Sequence, residues 1–181
     1  MLRVEIRAAG VHVTLEPGTL TVVTGEDATT LLDLATGLAP TDGVVKFNGT
    51  DVRLLTGDEV PSSVAVVTSN PFLIAGSVRD NICLGAAPTE EEVRRALWLA
   101  AIDGPAPDRR QIGLARALLR LPALLILDRA TDDLAPDVEA RILRRLAGTA
   151  LTVLATAHRE SALARADQVI TLGTRPAYAT A

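Results

Sequence analysis

Short apolar, β-branched runs alternate with segments of helical periodicity along most of this chain, and that alternation restricts the fold more than any other feature. The runs "TLTVVT" (19–24), "SVAVVTS" (63–69), "ALLILD" (123–128), "LTVLATA" (151–157) and "QVITL" (168–172) have the length and composition of strands. The continuous apolar character of 63–69 predicts a strand buried on both faces. "VHVTL" (11–15) and "GVVKFNG" (43–49) add strands bounded by turn signals, including Pro17-Gly18. Helical segments lie between them, so the expected class is α/β, with a mostly parallel sheet flanked by helices. Ligands in such sheets bind at the carboxyl ends of strands, where Gly25, Asp128 and His158 fall.

The helices announce themselves through their starts. Thr89 and Glu92 form a capping box ahead of "EEEVRRALWLAAIDG", with Val93, Leu97 and Ala100 at helical spacing. Asp108, with Gln111 three residues on, caps "IGLARALLRL" in the same way. "LLDLATGLA", "SVRDNICLG" (ended by Gly85), "DVEARILRRLAG" and "HRESALARAD" read as further helices. Cys83 and Trp98 lie on apolar helices and are expected in the core.

A chain of 181 residues holds one domain with a sizeable core. With 48% hydrophobic and 22% charged residues it has the balance of a globular protein. The formal net charge of -4 and the lack of any basic tract argue against nucleic acid as a partner. One cysteine excludes an internal disulfide, and two histidines are too few for a histidine-rich metal site. The start "MLRVEIRAAG" lacks the apolar stretch of a signal peptide, and no apolar run reaches the ~18 residues of a membrane span. The expected location is cytoplasmic, or peripheral at the inner face of the membrane.

Taken in order, several segments resemble the nucleotide-binding domain of ATP-binding-cassette (ABC) transporters, especially the exporter type. "IGLARALLRLPALLILDRATDDL" is similar to the helix after the family's signature sequence, its Walker B strand and its D-loop. "VAVVTSNPFLIAGSVRDNICLG" resembles the Q-loop segment, and "TVLATAHRESALARADQVITL" the switch-histidine region. "LEPGTLTVVTG…TTLLDLATGL" looks like the strand and helix around Walker A, and "DGVVKFNGTDVRLL" also fits. The resemblance covers most of residues 15 to 173. It implies a P-loop NTPase-like fold over 1–181, with a reduced helical subdomain at roughly 76–107 and a loosely ordered tail at 174–181. It also implies ATP and Mg as cofactors, and a partner cassette and a transmembrane domain on a separate chain as partners.

The chemistry rests on positions that differ from the family. Walker A requires G-x-x-x-x-G-K-[ST], whose amides and lysine hold the phosphates and whose hydroxyl binds magnesium. Here Gly25 is followed by Glu26, Asp27, Ala28, Thr29 and Thr30, three residues short, with Ala28 at the lysine position. By resemblance Gly25, Ala28, Thr29, Thr30, Ser69 and Asp128 are the nucleotide-contacting positions, and Thr29 and Asp128 the magnesium positions if nucleotide binds. Asp27 can instead cap the helix that begins near Thr29, supplying the negative oxygen that a phosphate would bring.

The signature aligns with Gly104-Pro105-Ala106-Pro107-Asp108, which lacks the serine and the glycine pair and in which two prolines remove N–H donors. Much of the family's loop before the signature is also missing. The general-base position holds Arg129, which cannot accept a proton. The alternatives for it are an ion pair with Asp128, Asp132 or Asp133, or a phosphate contact of the arginine-finger kind. Ser69 replaces the Q-loop glutamine and Ala135 the D-loop aspartate, while His158 retains the switch position. The first 24 residues contain no aromatic to stack on adenine; His12 is the nearest substitute. Phe72 follows the Q-loop position, where the family meets its transmembrane partner.

Three functions are therefore carried forward. The first is a catalytically degenerate ABC cassette that pairs with a partner cassette or transmembrane domain. The second is an active ATP-hydrolysing cassette that powers export. The third is a stand-alone scaffold without nucleotide chemistry.

Overall fold

The computed structural model describes residues 2–8, 11–25, 28–36, 43–55, 64–157 and 159–172. The first strand, β1 (Val4–Ala8), pairs antiparallel with β2 (Val11–Leu15), placing Arg7 opposite His12. The predicted strand at 43–49 becomes β4 (Val44–Phe47), antiparallel to β1 on its other side, and a two-residue β5 (Thr50–Asp51) completes the order β2-β1-β4-β5. Residues alternate across this sheet. Val4, Ile6, Val13, Leu15, Val45 and Phe47 point inward and are buried.

The second sheet is wholly parallel. Its strands are β3 (Leu20–Thr24), β6 (Val64–Thr68), β7 (Leu124–Asp128), β8 (Thr152–Thr156) and β9 (Gln168–Thr171), in the order β6-β7-β8-β3-β9. All the runs that the pattern marked as strands are present. Residues 64–68 depart from expectation. They form an edge strand, with Val66 47% exposed and only Val67 fully buried, so one neighbour rather than two covers them.

Helix α1 (Ala28–Ala35) lies between the sheets, its Leu31, Leu32 and Leu34 packed with Leu124, Ile126 and Leu154 from one face of the parallel sheet. The opposite face is covered by α4 (Arg109–Leu119) and α5 (Pro136–Ala147), with α2 (Val78–Cys83), α3 (Glu90–Leu99) and the short α6 (Glu160–Leu163) around them. Both predicted capping boxes exist: Thr89 with Glu92 on α3, and Asp108 with Gln111 on α4. Gly113 lets α4 press against the segment after β6, because a Cβ there would stand 2.7 Å from the Pro71 ring.

Trp98 is a correction to the expected core. It is 53% exposed at the end of α3, with the Arg145 guanidinium over its ring at 4.7 Å from the centroid, and Arg145 also donates to the Trp98 carbonyl. Leu97, its neighbour, turns toward the core in its place. Cys83 is half-buried. No helix among the described residues is long and apolar enough to cross a membrane. The tail at 174–181 lies outside the described residues.

Candidate functional site

The carboxyl ends of β3, β6, β7 and β8 form one edge, and most of the sequence-predicted positions gather there. Thr68 is in register with Asp128, so Ser69 comes just past the end of β6, level with Arg129. Leu127 is in register with Ala155 and Val23 with Thr156, which brings the ends of β7, β8 and β3 together. His158, Glu26 and Asp27 lie outside the described residues, as do the side chains of Thr29 and Thr30. The cap expected from Asp27 lies outside the described residues as well.

Gly25 ends β3 in a left-handed conformation, with φ +108. A Cβ at this position would lie 1.9 Å from the Leu172 carbonyl oxygen, so the glycine is required by the close passage of the chain leaving β9. The Ala28 amide donates to the Gly25 carbonyl at 3.3 Å, and α1 begins at once, with Ala28 itself buried. One of the amides at the start of α1 is thus already used within the chain.

Asp128 closes β7. Its Oδ1 is buried and has no hydrogen-bond partner, and burial, followed by the nearby Asp33, pushes its carboxyl above the usual carboxylate range. Arg129 and Asp132 act on it more weakly, in opposite directions. Arg129 adopts φ +51; its amide donates to Thr156 Oγ1 at 2.8 Å and its Nε lies 3.5 Å from Asp132 Oδ2. Its side chain, 65% exposed, is held loosely at the mouth of the edge.

The start of α4 is closed by carboxylate. Asp108 accepts from the Arg110 amide at 2.8 Å and pairs with the Arg110 guanidinium at 3.3 Å. Gln111 is buried. Its Oε1 accepts from the Asp108 amide at 3.0 Å, and its Nε2 donates to the carbonyls of Ala100 and Ala101, tying the end of α3 to the beginning of α4. On the outer face of the antiparallel sheet, Arg7 Nε donates to His12 Nε2 at 3.0 Å, so that imidazole already has an intramolecular partner.

Sequence reasoning missed a buried polar network behind this edge. Glu139, fully buried on α5, accepts from Arg159 at 2.8 Å and from Thr131 Oγ1 at 3.0 Å. Arg159 also donates to the carbonyls of Asp132 and Leu134. A signal was present: Glu139 shares the helical spacing of Ile142, Leu143 and Leu146, so an acid stands on the apolar face and requires a partner.

Tested against MgATP, these residues fit unevenly. Asp128, with an unpartnered buried oxygen at a strand end, suits a cation. At the phosphate end, the Ala28 amide is already used by the Gly25 carbonyl, and the Asp108 carboxylate already serves the start of α4. No group of three or more His, Cys, Asp or Glu suited to hold a metal occurs among the described residues.

No family model matches the chain. It is 33% identical over 190 residues to the ABC multidrug transporter mdr4 of Aspergillus fumigatus, a match that covers 88% of this chain and 14% of that protein. It is 31% identical over 193 residues to the mycobactin import ATP-binding/permease protein IrtB of Mycolicibacterium thermoresistibile, covering 92% of this chain and 33% of the relative. An uncharacterized ABC transporter ATP-binding protein of Mycobacterium bovis is 32% identical over 88% of this chain and 32% of its own length. The chain thus spans a third or less of these relatives. The matched regions exceed its 181 residues, so the relatives carry residues there that this chain lacks. Among solved structures, a bacterial Atm1-family ABC exporter with ATP bound superposes with a TM-score of 0.80 at 20% identity, over 94% of this chain and 37% of the exporter chain. That likeness establishes the fold, a parallel sheet flanked by helices of the P-loop NTPase kind. Identity and fold agree, and the chain belongs to the ATP-binding-cassette family of transporters, as an ATP-binding cassette domain.

Proposed function

We propose that this domain is a catalytically degenerate cassette, which keeps the family's fold and partner surfaces but contributes little or no ATP hydrolysis. The observation that carries the reading is the carboxylate of Asp108 on the first turn of α4, where the family meets phosphate. Charge sign supports it: a helix start stabilises one anion, and Asp108 already serves as that anion. The bond from the Ala28 amide to the Gly25 carbonyl and the absence of a lysine at position 28 agree with it. Replacement of the general base by Arg129 removes a group worth roughly 10²–10⁴ in rate. In this reading Gly25, Ala28, Thr29, Thr30, Ser69, Asp128 and His158 occupy nucleotide-contacting positions without forming a complete site, and Asp128 retains only the cation end of it.

A role in pairing or regulation follows, with a partner cassette or a transmembrane domain as the object, whether in the same polypeptide or on a separate chain. Residues 76–107 are the reduced helical subdomain. Between α2 and α3 runs a groove of about 520 Å³ lined by Val78, Ile82, Val93, Leu97, Ile102 and Pro105, and Phe72, 72% exposed, belongs to the segment that leads into this subdomain. These apolar surfaces support docking of a transmembrane partner, and in this reading the domain works at the cytoplasmic face of a membrane.

ATP turnover by the purified domain with its partner, alone and as Arg129→Glu, tests the reading. Turnover at background in the unaltered protein is expected; multiple turnovers per minute would favour the active-cassette alternative, for which the orphaned oxygen of Asp128 is the supporting observation. A stand-alone scaffold would fail to co-purify with any membrane protein.

A further inference from the structure

Residues 129–135, between β7 and α5, are held from three directions by arginine. Arg159, beyond β8, donates to the carbonyls of Leu134 at 2.9 Å and Asp132 at 2.7 Å, and pairs with the buried Glu139 at 2.8 Å. Arg110, in the first turn of α4, donates to Asp133 Oδ2 at 2.7 Å while pairing with Asp108. Arg129 pairs with Asp132 from within the loop, and the loop closes on itself through the Leu134 amide and the Thr131 carbonyl at 3.0 Å. Thr131, buried, completes the hold by donating to Glu139.

We propose that this loop is a strut that couples the end of β8 to the start of α4, with Arg159 as its positioning residue. The geometry favours coupling over three separate surface contacts. Arg159 is engaged by three acceptors at once, two of them backbone, so it cannot shift without moving the loop. The far end of the loop reaches α4 through Asp133, and Arg110 uses the other half of its fork on the helix cap. A displacement at the residue before Arg159, the switch position, would therefore alter the cap at Asp108. The strut consists of protein contacts alone, so it stands apart from the reading of the phosphate site.

Hydrogen exchange of the full chain by mass spectrometry tests it, in the unaltered protein and in Arg159→Gln and Asp133→Asn. Arg159→Gln should raise exchange at 129–135 and also at 109–112, each by about tenfold, the scale expected on loss of charge-assisted bonds. Residues 4–15 should not change. Adding Asp133→Asn to Arg159→Gln should raise 109–112 no further, because both lie on one path. Faster exchange confined to 129–135 overturns the proposal. If Arg159→Gln loosens every segment alike, Asp133→Asn alone decides: its exposed carboxylate supports no core, and it must raise 109–112 and 129–135 together while 4–15 hold, or the strut is refuted.

Discussion

Asp108→Ala is the perturbation that separates a structural carboxylate from an incidental one at the start of α4. The side chain accepts one backbone amide at 2.8 Å, faces the positive end of the helix and pairs with Arg110 at 3.3 Å. Loss of an N-cap acceptor costs ~1 kcal/mol, with a range of about 0.5–2. The interaction of the charge with the helix adds about 0.3–1 kcal/mol. The ion pair is partly exposed, and Arg110 keeps Asp133, so it adds only a few tenths. The sum is about 2 kcal/mol, which in a chain of this size lowers the melting temperature by about 4–8 °C. Asp108→Ser keeps an acceptor and removes the charge, and should cost about half as much. Urea unfolding at pH 7 with circular dichroism gives both numbers. If Asp108→Ala came within ~0.5 kcal/mol of the unaltered protein, the carboxylate would not be the structural anion of this helix, and the argument from occupancy would fail with it.

Two further substitutions probe the strand-end edge. Asp128 has a carboxyl raised above its unfolded value, so its ionisation opposes folding: stability is highest below the unfolded value and falls as pH rises through the folded one. Asp128→Asn should therefore raise the melting temperature at pH 7, with the advantage shrinking as pH falls through the raised folded value and gone below about 4, as followed by calorimetry across pH. Gly25→Ala forces a left-handed alanine into the Leu172 carbonyl and should cost about 3 kcal/mol or more, measured by urea unfolding, even though the changed residue carries no chemistry.

Much of the fold was legible because its signals are local. The strands at 124–128 and 152–156 are runs long enough only for strands, and the capping boxes at Thr89 and Asp108 mark helix starts to the residue. The exposure of Val66 and Trp98 was not legible. Whether a β-branched run is central or at an edge depends on the order of strands in the sheet, and whether a tryptophan on an apolar helix is covered depends on what lies opposite; here it is Arg145 on α5. The site was legible as positions and not as contacts. The register of β6, β7 and β8 brings Ser69, Asp128 and Arg129 to one edge. The hold of Arg159 on Glu139 joins residues distant in sequence, and only the acid on the apolar face of α5 hinted at it.

Whether a carboxylate has displaced the triphosphate is answered most directly by isothermal calorimetry of the purified domain with MgATP. The account predicts no saturable heat up to about 1 mM nucleotide, with or without magnesium. A magnesium-dependent complex with a Kd near ~1 μM would contradict it, because binding of that strength draws on helix-start amides, of which that of Ala28 is already used by Gly25 and that of Arg110 by Asp108.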